Sequence, residues 1–217
     1  MEHSERIRGG GKETPKGFLF ELTGGNPALD LANTVDNRPT DRRRELLRTY
    51  EDLVAWGEQS GSLTSVDAAR LRRQARTRPS DAERALIEAR AIREAVFATF
   101  SKIAEGSRPP RDDLATLNAA IPQALAHLCL APSETGYAWR WDAEESQLDR
   151  VVWPAIRSVG ELLTSCELTR VRVCAAETCD WLFLDTSRNR SRRWCDMTVC
   201  GNRSKVRNFH TRQKRER

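Results

Sequence analysis

Apolar positions recur at helical spacing along most of this chain and at strand spacing only in short runs. Ala85, Ala89, Ile92, Val96, Phe100 and Ile103 advance by steps of 4, 3, 4, 4 and 3. That stripe predicts the longest helix, opened by Ser80 with Glu83. Leu114, Leu117, Ile121, Leu125 and Leu128 predict another over 112–128, bent or split at Pro122. Val66, Ala69 and Leu71 mark a helix over 65–77, and Thr49 with Asp52 reads as a capping box opening one that runs to about Glu58. Asn26 followed by Pro27 is an N-cap and first-turn proline, starting a helix to about Val35. Val152, Ile156, Val159 and Leu163 place a last helix over 149–165, with Pro154 in its first turns.

Strand signals are fewer. Residues 18–22 read as a short strand closed by Gly24 and Gly25, and 127–131 with 137–141 flank Ser133-Glu134-Thr135-Gly136 as a β-hairpin. Residues 1–16, with Gly9-Gly10-Gly11 and mixed charge, show no periodicity and read as a disordered leader. The pattern predicts a mostly α protein with small β elements (α+β). A helical N-terminal domain spans 17–167 and a cysteine-bearing module spans 168–217, with no Gly/Ser-rich linker between them.

Composition narrows the class. At 39 % hydrophobic residues the chain supplies a core. No run approaches the roughly 18 to 20 apolar residues of a membrane span. The charged start Met1-Glu2-His3-Ser4-Glu5-Arg6 has no apolar stretch, so neither a secretory signal nor a membrane partner is expected, and the expected location is cytoplasmic. The formal net charge of +5 is unevenly distributed. Residues 170–217 hold 13 Lys and Arg against 5 Asp and Glu, and the remainder holds 23 against 26. Because 31 of the 36 basic residues are Arg throughout the chain, the clustering, rather than the abundance of Arg, is the informative part.

Four of the six cysteines lie in the basic segment. Cys174 and Cys179, then Cys195 and Cys200, form two pairs with four residues inside each and fifteen between them. Two such pairs suit a tetrahedral four-thiolate site with ligands about 2.3 Å from one Zn²⁺. Two disulfides or four buried thiols are the other readings. A reducing compartment argues against the first, and regular spacing in a polar segment argues against the second. Four thiolates leave no open coordination position, so the zinc is structural. The module has few apolar residues, and metal binding worth on the order of 10 kcal/mol would offset its ordering entropy. The expected shape is a knuckle at 174–179, a strand over 181–184, a basic turn, a return through Trp194 and a C-terminal helix. That is a treble-clef-like finger. Cys129 and Cys166, without partners at ligand spacing, are expected to be core residues.

Arg193-Trp194-Cys195-Asp196-Met197 followed by Cys200-Gly201-Asn202-Arg203-Ser204-Lys205 resembles the CGNR zinc finger, as does Leu182-Phe183-Leu184-Asp185-Thr186-Ser187-Arg188-Asn189 before it. Gly24-Gly25-Asn26-Pro27-Ala28-Leu29-Asp30-Leu31-Ala32-Asn33-Thr34-Val35 resembles the opening of the ABATE domain that usually accompanies this finger. The resemblance covers about residues 18–212 and includes all four ligand positions. The family is regarded as bacterial transcription regulators linked to stress responses, which implies DNA binding.

Within the finger, Arg188, Arg190, Arg192 and Arg193 form one basic cluster on the turn. Arg203, Lys205 and Arg207 belong to a second on the helix, with Lys214 further along the stripe of Arg203 and Arg207. Together they would neutralise roughly five to seven phosphates. Val199, Asn202, Val206 and Phe209 share a helix face expected to turn onto the knuckle, giving Asn202 a structural role. His210 is expected at the surface. In the helical domain Asn26, Asp30 and Asn33 make a polar stripe with no basic residue. It reads either as a pocket for an unknown small-molecule effector or as capping plus a buried hydrogen-bond network. The leading function is a regulator of double-stranded DNA. RNA binding is the alternative, and an enzyme is a weaker one, because the domain shows no nucleophile–base spacing, phosphate loop or open metal site. A homodimer is compatible with the leading role, although no heptad pattern specifies one.

Overall fold

The first three helices open on side chains that satisfy their free N–H groups. The structure, a computed structural model, describes residues 10–15, 17–142 and 147–215. Asn26 accepts from the Ala28 N–H and opens α1 (Pro27–Ala32). The helix stops before Val35 because Val35–Asp36 leaves as strand β3, antiparallel to β4 (Arg44–Glu45). Thr49 and Asp52 complete the expected capping box on α2 (Tyr50–Gln59), and Thr64 caps α3 (Ser65–Thr77). In α3 the buried positions are Ala68 and Leu71, whereas Val66 faces solvent. The long helix α4 (Pro79–Ala104) starts one residue before Ser80, with Pro79 in its first turn and no side-chain cap. Pro122 lies inside α5 (Arg111–Leu125), which continues through it without splitting.

The leader expectation needs correction. Residues 10–15 are ordered, and β1 (Gly11–Thr14) pairs antiparallel with β2 (Gly17–Phe20). The hairpin closes because Phe18 and Phe20 point inward and because Gly11 lets Phe18 approach; a Cβ there would sit 2.3 Å from the Phe18 ring. Residues 1–9 and 16 of the expected leader lie outside the described residues. The second expected hairpin forms as β5 (Leu128–Ser133) with β6 (Gly136–Trp141). The expected helix over 149–165 divides into a 3-10 turn, Leu148–Val152, and α6 (Trp153–Leu163), with Pro154 at the junction.

Two apolar clusters hold these elements. The larger gathers the first hairpin, α2, α3, the first half of α4 and the 3-10 turn around Trp56, Leu53, Leu71 and Val151. The second lies between α1, the second half of α4, α5 and α6 around Leu29, Val96, Phe100 and Val159. This second cluster also contains Val171, Leu182 and Leu184. Those residues come from β7 (Val171–Val173) and β8 (Leu182–Leu184), an antiparallel pair belonging to the cysteine module. The chain is completed by a π turn at Met197–Gly201 and helix α7 (Asn202–Arg215). The result is a mostly helical protein with small β-hairpins and a cysteine finger packed on it. Among the described residues no helix is long and apolar enough to cross a membrane.

Gly57 in α2 marks a close approach between elements, since a Cβ there would lie 2.6 Å from Val151 Cγ1. Gly→Ala in a helix ordinarily stabilises by about 1 kcal/mol. Gly57→Ala is instead expected to destabilise by about 1–3 kcal/mol through overpacking, measured by urea unfolding.

Candidate metal centre and nucleic-acid interface

The cysteine site is assembled by backbone turns. Cys174, following β7, donates its N–H to Trp181 O at 2.8 Å, and Cys179 donates to Ala176 O at 2.9 Å, closing the knuckle. Ala175 N–H reaches Arg193 O at 2.8 Å and ties the knuckle to the returning chain. Asp196 caps the π turn that carries Cys200, its Oδ1 accepting from Thr198 N at 2.5 Å, Thr198 Oγ1 at 2.6 Å and Val199 N at 3.0 Å. The four Sγ atoms all lie within 4.8 Å of one another, and all four cysteines are buried. Cys179–Cys195 and Cys195–Cys200 are each 3.7 Å apart. Ligands about 2.3 Å from a central ion at tetrahedral angles stand about 3.8 Å from each other, so the spacing fits one Zn²⁺.

Electrostatics agree with the geometry. Four sulfurs this close cannot all ionise without a cation. The other three thiols, donating to Cys174, push its thiol pKa down, while the same proton sharing and burial push Cys179 and Cys195 up. A divalent ion replaces those shared protons. These four cysteines hold one structural zinc ion, and the shell they form is closed.

Strand β8 connects this centre to the rest of the protein. Successive side chains of a strand point to opposite faces. Leu182 and Leu184 therefore enter the second helical cluster, while Phe183, with Trp181 just before the strand, packs around the cysteines. The strip 24–35 runs along the same strand. Leu184 N–H donates to Gly24 O at 2.8 Å, and Trp181 Nε1 donates to Val35 O at 2.9 Å. Asn33 Nδ2 donates to Leu182 O, and its Oδ1 accepts from Leu182 N, both at 2.8 Å and both buried.

The polar side chains of the α1 stripe thus hydrogen-bond to protein partners. Asn26 Oδ1 accepts from Ala28 N and from Ser158 Oγ at 2.6 Å, and Asp30 Oδ1 accepts from Gly24 N at 2.8 Å. Asn33 spends both amide atoms on Leu182. Burial pushes the Asp30 carboxyl up to about 6, against the lowering effect of the Gly24 N–H.

The expected nucleic-acid residues divide into groups. Arg188, Arg190 and Arg193 are exposed on the turn, and so is Lys205 on α7. Arg190 sits at φ 49, in the left-handed region. Arg192 is half-buried and internal. Its Nε donates to Trp194 O at 2.8 Å, its Nη2 to Cys195 O, and its guanidinium lies 4.6 Å from the Phe183 ring centroid. Arg207 pairs with Glu177 of the knuckle. Arg203, although exposed, lines a narrow cleft with Glu21 and Asp36 of the helical domain.

The expected inward face of α7 is also corrected. Val206 is 58 % exposed and Asn202 is exposed, its Nδ2 donating to Thr198 O at 3.0 Å. The helix is anchored instead by Cys200, Gly201 and Ser204, whose Oγ accepts from Trp194 Nε1 at 3.1 Å. That register turns Val206 outward. The side chains of Phe209, His210 and Lys214 lie outside the described residues. Cys129 is half-buried at the hairpin and Cys166 is exposed, so neither belongs to the core.

Sequence reading offered a buried hydrogen-bond network for Asn33 without its partner, and missed Asp185 and Arg192 as organisers of the finger. Asp185 is fully buried and accepts from Ser187 N, Ser187 Oγ and Arg192 N at 2.6–3.0 Å. Although burial acts to raise its pKa, these hydrogen bonds hold the carboxyl below its ordinary value. An Asp followed two residues later by Ser, just past an apolar strand, is the local signal of such a turn.

A family model described as "Putative stress-induced transcription regulator", ABATE, matches residues 25–165. A second, the CGNR zinc finger, matches residues 170–213. No curated protein matches the chain.

Cys195→Ser is expected to abolish stoichiometric zinc binding and unfold the finger, read by metal analysis and loss of protection at residues 171–201 in hydrogen exchange. Asn33→Ala leaves the buried N–H and C=O of Leu182 without partners and is expected to cost about 2–4 kcal/mol in chemical unfolding. Because the native state holds the Asp30 proton more tightly than the unfolded chain does, the stability from this group is present below the ordinary value of 3.8 and is lost as pH rises through about 6. Asp30→Asn is therefore expected to stabilise at pH 7.5 by on the order of 1 kcal/mol, with the difference vanishing below pH ~4.

Proposed function

The chain belongs to the ABATE family and carries a CGNR zinc finger, and from that membership we propose that this zinc-binding regulatory protein controls transcription by gripping double-stranded DNA through its finger. Neither family description names a catalytic activity. The observation that carries the proposal is the sorting of charge within the finger. Its acidic groups are largely consumed. Asp185 is buried in the turn, Asp196 caps the helix start, Asp180 is half-buried and Glu177 is paired. Arg188, Arg190 and Arg193 of the turn and Lys205 of the helix stand outside, so a modest formal charge becomes a locally basic surface beside the zinc knuckle. Phosphate contacts of this kind fix position and make affinity strongly salt-dependent.

The turn is the primary grip in this reading. Arg188, Arg190, Arg193 and Lys205 are exposed, whereas Arg203 and Arg207 must exchange carboxylate neighbours for phosphates. Arg192 acts from inside, holding the carbonyls beside a zinc ligand. The hydrogen bonds between the 24–35 strip and β8 give any signal sensed by the helical domain a mechanical route to the finger.

Fluorescence anisotropy with random duplex DNA and RNA pools, at two salt concentrations and with chelator, tests the proposal. Duplex DNA is expected to bind best, with a log–log salt slope of roughly −4 to −6 and loss on chelation. Arg188→Ala with Arg190→Ala is expected to weaken binding about tenfold or more while zinc stays at one per chain. Arg192→Ala is instead expected to lower finger stability. Preference for RNA, or binding insensitive to chelator, would overturn the proposal.

A further inference from the structure

Strand β6 presents an open edge. In the β5–β6 hairpin the Asp142 N–H donates to His127 O at 2.7 Å, which fixes the parity of the ladder. Gly136, Ala138 and Arg140 therefore turn their backbone groups toward β5, and Tyr137, Trp139 and Trp141 turn theirs away from it. Those outward groups find no hydrogen-bond partner among the described residues. The other edge of the hairpin is blunted, because Pro132 of β5, opposite Tyr137, has no N–H to offer. Strand β6 has no proline, no lysine and no break in its register from Gly136 to Trp141.

The side chains add an apolar row to that edge. Tyr137, Trp139 and Trp141 share one face of the strand. Trp141 packs against the core, whereas Trp139 is 54 % and Tyr137 76 % exposed. Arg157 stands 5.5 Å from the Trp139 ring centroid and steadies the indole without burying it. Leu130, opposite Trp139 in the hairpin, is exposed as well. The hairpin thus extends from the domain as an arm about 20 Å long.

An open edge is filled by another strand, and a second β6 matches this one. Antiparallel pairing about a two-fold axis at Trp139 sets Trp139 against the second copy's Trp139, and Tyr137 against its Trp141. The outward backbone groups fall on those same pairs, so each pair exchanges both N–H···O bonds. The aromatic rings become cross-strand neighbours on one face. This pairing also lays the tip of one arm beside the base of the other. A cleft of about 580 Å³ lies there, between the base of β6, the 61–64 loop and α3. It touches Trp139, Arg140 and Trp141, which belong to both faces of β6, and no β5 residue lines it, so it borders the open edge. Its charged lining is Arg70, Arg140 and Arg150 against Asp67 and Asp142. Asp67 is ion-paired with Arg150 and lowered by the charge of Arg70, so the surplus is a single positive charge shared across the cleft. The tip, Ser133-Glu134-Thr135-Gly136, carries one acid and no base. Paired strands with a seated tip cover roughly 1,000 Å², the low end of specific interfaces and the size of a reversible dimer.

We infer that two copies of this chain pair through β6 into a four-stranded antiparallel sheet, each hairpin tip seated in the other copy's cleft. No finger residue takes part, so the interface stands or falls independently of the nucleic-acid proposal.

Sedimentation velocity of the zinc-loaded full chain over about 1–300 µM is expected to show a reversible monomer–dimer equilibrium. Trp139→Lys, which sets two ammonium groups opposite each other at the axis, and Tyr137→Lys are each expected to weaken dimerisation about tenfold or more. Trp139→Phe is expected to retain the dimer. Tyr137 and Trp139 are both exposed, so zinc content and far-UV circular dichroism are expected to match the native chain. Tyr137→Lys, farther from the core, serves if Trp139→Lys disturbs the hairpin. Amide exchange followed by NMR on the native chain reads the register. Protection at Tyr137, Trp139 and Trp141 is expected to rise with protein concentration, while Ala138 and Arg140 are protected throughout. A chain that stays monomeric over the whole range would overturn the inference. So would a dimer equally strong in both lysine variants, or one that forms without added protection at those three amides.

Discussion

One side-chain amide, Asn33, holds both polar groups of one buried residue, Leu182, across 149 positions of sequence. A buried peptide group without partners costs free energy, so this pairing decides whether β8 can lie inside the protein at all. Once it does, the two-residue period of the strand divides its side chains between two cores. Leu182 and Leu184 complete the helical cluster, and Trp181 and Phe183 complete the metal cluster. The finger is therefore less an appended module than the last wall of the helical domain.

The metal acts on the other side of the same strand. A cluster of four cysteines, two tryptophans, Phe183 and Ala176 is too small to hold its turns against their conformational entropy. Zinc supplies what that core lacks and fixes the knuckle, which positions the 185–193 turn. Asp185 and Asp196 then spend their charges on backbone N–H groups within the turns, Arg192 turns inward onto the Trp194 and Cys195 carbonyls, and Arg188, Arg190 and Arg193 face outward. Zinc, buried acids and exposed basic surface form one chain of cause, in which the surface charge follows from the internal hydrogen bonding.

Much of this was legible in the sequence wherever the signal is local. Caps at Asn26 and Thr49 act within three residues, and the cysteine spacing specifies its own turn geometry. The sequence is opaque where the partner is distant or the pattern has no period. Strand β1 has almost no apolar residues, and its order comes from Phe18 and Phe20 across the hairpin. The polar stripe of α1 shows that amides gather on one face, but only the position of Leu182 explains why. Helix α7 illustrates a third limit. Spacing groups Val199 with Val206, yet the anchoring bond from Trp194 to Ser204 sets a different register and leaves Val206 in solvent.

The central claim is that finger and helical domain fold as one unit through β8. Thermal unfolding of the zinc-loaded and chelated protein, followed by far-UV circular dichroism of the helices, tests it directly. Loss of the finger strands withdraws Val171, Leu182 and Leu184 from the helical cluster, and each such side chain is worth about 1.5–3 kcal/mol on burial. A single transition is expected in the loaded protein, and chelation is expected to lower the helical melting temperature by about 5 °C or more. A helical transition unmoved by chelation would contradict the account.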